Sequence, residues 1–435
     1  MLRKFVTCLF MLLLLPAVAD AQQKTMNRAA DPIIVKGAKL QSLGGFPVGN
    51  IGAFAWVGQK LEPIPFQIDQ LNEKGSLVFP NGPSKSADPD PSFDANDELL
   101  FMVSDCGDKA LAGDMPADAK AAVELKLTDP ADGGAGWVYV IGFDAPAPRS
   151  AVDYVRYDPV GNMIHAKNYT MGFSKKAPIA IGRLSLTPEG GGDNTNQVDR
   201  LKVRFSARVL GGMVTIDKNE DGFTSKVIAW IDGPVRIVRR TKNRQTLFWK
   251  IPTPSAILDN IYYYNIFEFP TRVDLPFDVD TFLSEPRFRV STDSLCSIPG
   301  RVYLNEKNPK PVKIDGTMSP EEKSLDKSPY KWMVVAQTGK NKGAWMNRLL
   351  YEKDKTPAVP MLYYNDDMTR ADGPEEEQGE CGDVGYELQN LEKVGKGVLR
   401  LTSVMYNIPD YEQSKIQTYL NILDRPVRVT ASVVK

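Results

Sequence analysis

The nine residues Lys202 to Leu210, KVRFSARVL, put Val203, Phe205, Ala207 and Val209 at alternate positions and Lys202, Arg204, Ser206 and Arg208 between them. Neighbours two apart share a face only in a β-strand, so this period of two commits the segment to a sheet with one apolar and one wet face. The pattern recurs along the chain. Val123 to Thr128 alternates, the turn DPADGGAG follows, and WVYVIGF returns, which predicts a hairpin. AFAWVGQ, PIPFQI, SKVIAWI, VRIVRR, TLFWKI, NIYYYNIFEF, KWMVVAQ, VLRLTSVMY and PVRVTASVV are further strand candidates, punctuated by many of the 34 Gly and 32 Pro. No alternation of helix and strand patterns is present, so an all-β sandwich or barrel is predicted over a parallel α/β sheet.

One helix is expected, near the C-terminus. Ile416, Tyr419, Leu420 and Leu423 follow the i, i+3, i+4, i+7 spacing, Asp410 with Gln413 offers a cap, and Pro426 stops the run. Composition changes at Asp144 to Ser150, DAPAPRS, and again in the polar, Lys-rich stretch 308–329. The expected organisation is a signal peptide over 1–21, a small N-terminal β-sandwich over 22–148, and a larger antiparallel β domain over 149–435 with a polar insertion near 308–329.

The first residues, MLRKFVTCLFMLLLLPAVADA, place Arg3 and Lys4 before an apolar block and end in Ala19-Asp20-Ala21, the pattern of a secretory signal cleaved before Gln22. The protein is therefore expected to be periplasmic or secreted. That block is too short to span a bilayer, and no later stretch offers the ~20 apolar residues of a transmembrane helix. The net charge of −1 becomes −2 without the signal, which gives no footprint for nucleic acid. Cys106, Cys296 and Cys381 remain; one pair can bridge and one is left over, with the pairing open. A single histidine, His165, in a strand-like setting, excludes HExxH chemistry and most transition-metal sites.

The stretch Ser92 to Asp105, SFDANDELLFMVSD, runs four carboxylates and an asparagine into an apolar block, and PIPFQID precedes it. Asp94, Asn96 and Asp97 suit turns, because their side chains bond their own backbone; the same reading extends to Asp69 and Glu98 at strand ends. A glycosidase pair of carboxylates is the competing reading. The combination PIPFQID with DANDELLFMVSD resembles the N-terminal β-sandwich of exported proteins related to rhamnogalacturonan exolyases. IDGPVRIVRR and the closing NIPDYEQSKIQTYLNILDRPVRVTASVV are similar to strands and the penultimate helix of galactose-mutarotase-like supersandwich domains. The resemblance implies a supersandwich for the larger domain and a carbohydrate ligand. Mutarotases of that fold use histidines with a carboxylate, which His165 alone does not supply, and no lyase's catalytic residues match position by position.

Two segments carry candidate chemistry. Asp217, Asn219 and Asp221, with Gly222 after them, match the start of a calcium loop; Ile228 stands where the closing glutamate belongs, and strand-like flanks favour a hairpin turn without an ion. Arg236, Arg239, Arg240 and Arg244 lie close to Phe248, Trp249, Tyr262 and Tyr264. Guanidinium forks suit carboxylates and aromatic faces suit sugars, so an acidic polysaccharide is the ligand expected there. Period-two alternation argues against it, sending Val235 and Ile237 to the core and Arg236 to water. The acidic run Glu375, Glu376, Glu377 and Glu380 reads as a solvated loop. The functional expectation is a carbohydrate-interacting envelope protein, a binder or a polysaccharide lyase relative with no catalytic residue assigned. Its alternative is a structural envelope component that binds protein partners through exposed strand edges.

Overall fold

The computed structural model describes residues 22–248, 251–252, 256–275, 278–352 and 356–435. The expected signal peptide and Trp249 lie outside them. The chain is all-β, with antiparallel pairing throughout and one short helix near its end, as the alternation predicts.

Residues 22–143 begin a two-layer sandwich. One layer is a three-stranded sheet of Pro32–Lys36, Glu98–Met102 and Phe66–Asp69; the other is five-stranded and contains the predicted hairpin Ala121–Thr128 and Ala135–Gly142. Ile33, Val35, Phe66, Leu99 and Phe101 meet Ala53, Val123, Leu125, Val138 and Val140 between the layers. The final strand, Arg428–Val433, pairs with Ala121–Thr128, so a segment assigned to the second domain completes the first.

The largest sheet has ten strands, running from Phe223–Asp232 to Val312–Ile314. Alternate residues of its strands face opposite layers. Met346, Val404 and Tyr406 pack with Leu100 and Met102 of the three-stranded sheet. On the other face, Ile237, Tyr262, Phe267 and Trp345 pack on a four-stranded sheet that includes Tyr169–Phe173 and Ile181–Leu186. Leu349 and Leu401, also on that face, meet Tyr386 and Leu388 of a second five-stranded sheet. The apolar block Leu99 to Met102 thus has a cause: odd positions face the N-terminal core and even ones face the ten-stranded sheet, and all four are fully buried.

Several expectations need correcting. NIYYYNIFEF is two strands, Ala256–Tyr262 and Ile266–Leu275, joined at 263–265. The helix spans Ile416–Asp424 and buries its predicted face, but Asp410 does not cap it; a 3-10 turn at Gln413–Lys415 leads in instead. The polar insertion 308–329 holds the strand Val312–Ile314 and a single helical turn, Pro320–Lys323, closed by a capping box of Ser319 and Glu322.

The largest departure is Arg236, expected in water and found 3% exposed. Its Nε bonds Asp69 Oδ2 at 2.9 Å, its Nη2 reaches Asp69 and lies 2.8 Å from Glu98 Oε2, and Lys36 Nζ bonds the other Glu98 oxygen at 2.6 Å. Gln67 completes the set, donating to Asp69 Oδ1 at 2.6 Å and accepting from the Arg236 backbone N–H at 2.9 Å. A side chain on Gly233 would collide with that glutamine, so the turn before Arg236 needs glycine for close approach. Asp69 and Glu98 therefore join the three-stranded sheet to the ten-stranded one, whereas Asp94 and Asp97 make turns as expected, Asp97 accepting from Leu71 N and Asp94 N.

Arg236→Met is expected to lower stability by roughly 3–5 kcal/mol in urea unfolding, because Asp69 is left as an uncompensated buried charge; the double variant Asp69→Leu with Arg236→Met is expected to recover part of that loss. Burial pushes the Glu98 carboxyl up, but Lys36 and Arg236 together hold it below the ordinary value. A depressed carboxylate stabilises above its unfolded pKa and ceases to as pH falls through the folded one. The stability deficit of Glu98→Gln should be present at neutral pH and close below pH ~4.

Candidate functional site

The cationic and aromatic residues from Arg236 to Tyr264 do not assemble into a groove. Arg236 and Arg240 face one side of the ten-stranded sheet and Arg239 the other. Arg240 forks onto Asp259 with both bonds at 2.7 Å and stacks over Phe79. Arg239 is fully buried over the Phe173 ring, 3.9 Å from its centroid, and bonds Asn162 Oδ1. Tyr262 is core. Tyr264 donates its hydroxyl to Ala29 O. Arg244 is exposed on the strand Ile237–Phe248.

The calcium-loop residues do not converge either. Val214–Lys218 and Phe223–Asp232 belong to different sheets, so the segment is a corner between layers and not a hairpin. Asp217 sits on the first strand. Asn219 caps the following 3-10 turn through Asp221 N, and Asp221 is paired with Arg200 Nη1 at 3.0 Å. Glu220, which the pattern ignores, is the fully buried anion of the corner and holds Arg204 and the Val203 N–H. Asn168, which with Tyr169 and Thr170 spells an N-glycosylation sequon, is also buried, bonded to Asn407.

The polar stripe of KVRFSARVL leads to a different site. Val198–Val209 runs between Val214–Lys218 and Ser284–Ser294, followed by Cys381–Gln389 and Val359–Asn365. Across this sheet Lys202 pairs with Ser291, which pairs with Gly385, and Arg204 pairs with Arg289, which pairs with Glu387. Asp293, Asp383, Tyr363 and Asn365 continue the same face. This face is covered. The acidic stretch expected to be solvated folds over it: Lys202 Nζ meets Glu375 at 3.2 Å, Arg200 meets Glu376 at 2.9 Å, Arg204 Nη2 donates to Asp372 O at 2.7 Å, and Asp199 accepts from the N–H groups of Glu376 and Glu377. Glu380 and Lys202 are fully buried.

Beneath this lid lies a dense ionic cluster. Lys202 Nζ is 2.7 Å from Asp293 Oδ2 but 3.8 Å from Glu380 and 4.0 Å from Asp383. Arg289 pairs with Asp372 and lies over the Tyr363 ring. Burial and the neighbouring Asp293 push the Asp383 carboxyl up to about 7. Burial opposes the Lys202 charge, but Asp383 and Asp293 hold its pKa above the ordinary value. The sheet is pinned at this point by the disulfide Cys296–Cys381, with Cys106 buried and free, one pair and one left over as counted.

Where the lid ends, a pocket of about 410 Å3 opens, lined by Arg204, Ser206, Lys218, Arg287, Arg289 and Asp372 among others. Arg287 and Lys218 have no carboxylate partner among the described residues, and Arg289 Nε is buried without a hydrogen bond. Asp217 and Glu387 also line the rim, so the pocket is mixed in charge with Arg287 as its unpaired cation; Lys218 is opposite Phe205 and so shares the other face. Only the alternation at 202–209 pointed here; the lid comes from residues 372–380, about 170 positions on, and no local signal joins the two.

No protein-family model matches the chain, and no curated protein does either. Among solved structures it is similar to an alpha-mannosidase from Enterococcus faecalis V583, at 9% sequence identity and a TM-score of 0.42 over 94% of this chain. The match takes in 45% of that enzyme, so this chain spans less than half its length. No helix among the described residues is long and apolar enough to cross a membrane.

The disulfide closes a loop of 85 residues onto the edge of the cluster. Replacing Cys296 and Cys381 together by serine should cost about 2–4 kcal/mol in denaturant unfolding. Limited proteolysis should then cut first within 366–380, since the strand that follows Glu380 and carries Asp383 loses its tether.

Proposed function

We propose that the protein is an exported, carbohydrate-interacting envelope protein whose ligand is an acidic saccharide, bound at the mouth of the polar-faced sheet. The observation that carries this reading is Arg287, a cation without a carboxylate partner among the described residues, beside Arg289 on the same face at the rim of a pocket large enough for one or two sugar units. Guanidinium groups recognise carboxylates through paired, charge-assisted hydrogen bonds. Ser206 and Asn219 at the same rim supply neutral donors and acceptors of the kind that read sugar hydroxyls. The ligand class is the one expected from the sequence, but the residues are different: they lie on Val198–Val209, Val214–Lys218 and Ser284–Ser294, not between Arg236 and Tyr264.

Titration calorimetry of the full chain with oligogalacturonate and with a neutral glucan tests the reading. Binding to the acidic oligomer alone is expected, weakened about ten-fold or more in Arg287→Ala. Equal binding to both glycans, or an unchanged affinity in the variant, would overturn it. Ultraviolet absorbance of unsaturated uronides, followed on the same samples, separates a lyase from a binder.

A further inference from the structure

We infer that Asp372, Glu380 and Asp383 form a site for a divalent hard cation of the calcium type, seated under the acidic lid. Each residue offers one oxygen, and the three atoms lie within 4.8 Å of one another, the spread expected of ligands around an ion at 2.3–2.6 Å. Closeness of carboxylates alone would mean little on a surface. Here the second observation is an unmet need: Asp383 is fully buried and neither of its oxygens accepts a hydrogen bond, and Glu380 Oε1 is in the same position. Buried polar atoms are almost always partnered, and an ion is one of the few things that can satisfy three orphaned carboxylate oxygens together.

The surrounding cations do not fill that role. Lys202 is within hydrogen-bond range of Asp293 and Glu375 and stands 3.8–4.0 Å from the orphaned pair. Arg289 serves Asp372. Arg204 is shared between Asp372 and the buried Glu220. Six carboxylates, Asp199, Asp293, Asp372, Glu375, Glu380 and Asp383, therefore share Lys202, Arg204 and Arg289, with Arg301 and Arg370 acting on Asp293 and Glu380 from further away, and a double positive charge offsets the remaining excess. Ser291, 2% exposed on the same face with its hydroxyl unpartnered, adds a further neutral oxygen beside the strand that carries Asp383.

The donor set is all oxygen. The cysteine two residues before Asp383 is held in a disulfide and the lone histidine is on another sheet, so the chemistry suits calcium over zinc or copper. The ligands are also pre-positioned. Glu380 is held through its second oxygen by Asn365, Asp383 is on a strand interior, and Asp372 reaches both the cluster and the rim of the 410 Å3 pocket, which provides a path in. This site is separate from Asp217, Asn219 and Asp221, and of its three carboxylates only Asp372 also lines the neighbouring pocket.

The test is calcium titration of the full chain by calorimetry, with terbium as a luminescent substitute. One calcium per chain is expected, together with a calcium-dependent rise in the unfolding midpoint. Terbium emission should be sensitised by Tyr363, whose hydroxyl is 3.5 Å from Glu380 Oε2. Asp383→Asn should weaken calcium roughly ten-fold or more. Asp372→Asn, at the half-buried end of the cluster, provides the same readout should the first variant fail to fold. Tyr363→Phe should dim terbium emission while calcium still binds. Absence of calcium binding to the unmodified chain, or affinities unchanged in both carboxamide variants, would overturn the assignment.

Discussion

The fold depends on one buried ion pair, Arg236 with Asp69, at the centre of three layers. It joins the three-stranded sheet to the ten-stranded one, between which no strands pair; the backbone contacts between the two parts lie beside it, at Asn81 with Trp230 and Ser84 with Ile228. Desolvating both charges is expensive, and the attraction between them compensates only because every neighbouring group takes part: Gln67 bonds the second Asp69 oxygen, and Glu98 and Lys36 extend the pair to the surface. A well-packed apolar pair could hold the layers as strongly. What the ionic set adds is register, because a guanidinium fork meets a carboxylate in few orientations, whereas leucine on leucine would tolerate sliding.

That register has consequences along the strand. With Arg236 fixed, Arg240 falls over Phe79 on the same face, and Ile237 and Arg239 are turned to the opposite layer. The ten-stranded sheet then offers its far face to the four-stranded sheet and to the polar-faced sheet side by side. The polar-faced sheet shows the same device again: its apolar side packs on the ten-stranded sheet, its charged side is covered by a lid, and ionic contacts hold the lid in place. Burying charge is thus repeated in this protein at two separate places, and in both some partners come from segments more than 130 residues apart, Arg236 with Asp69 and Glu98 in one and Lys202 with Glu375 in the other.

Local periodicity revealed which residues share a face but not what lies over that face. In KVRFSARVL the alternation was correct to the residue, and the inference of a wet face failed because the cover is supplied by residues 372–380. In VRIVRR it again sorted Val235 and Ile237 from Arg236, although all three are buried. The solid apolar run at Leu99 to Met102 was the visible sign of a strand with a layer on each side, and a charged residue entering such a place needs a distant partner that spacing cannot name. The helix illustrates the reverse case: its packing face was legible from Ile416, Tyr419, Leu420 and Leu423, while its start was not, because a 3-10 turn replaced the side-chain cap. The orphaned Asp383 and Glu380 flank the disulfide cysteine in the sequence, yet only the fold brings Asp372 and Lys202 to them.

Native-state hydrogen exchange tests most directly whether the Arg236 network locks the layers together. The Arg236 amide, which donates to Gln67 Oε1, and the amides of Glu98–Met102 should exchange only with the same opening free energy as the slowest amides of the ten-stranded sheet. If instead Arg236 and the three-stranded sheet exchange through a lower-energy opening while the ten-stranded sheet stays protected, the layers separate without global unfolding and the ion pair does not hold them.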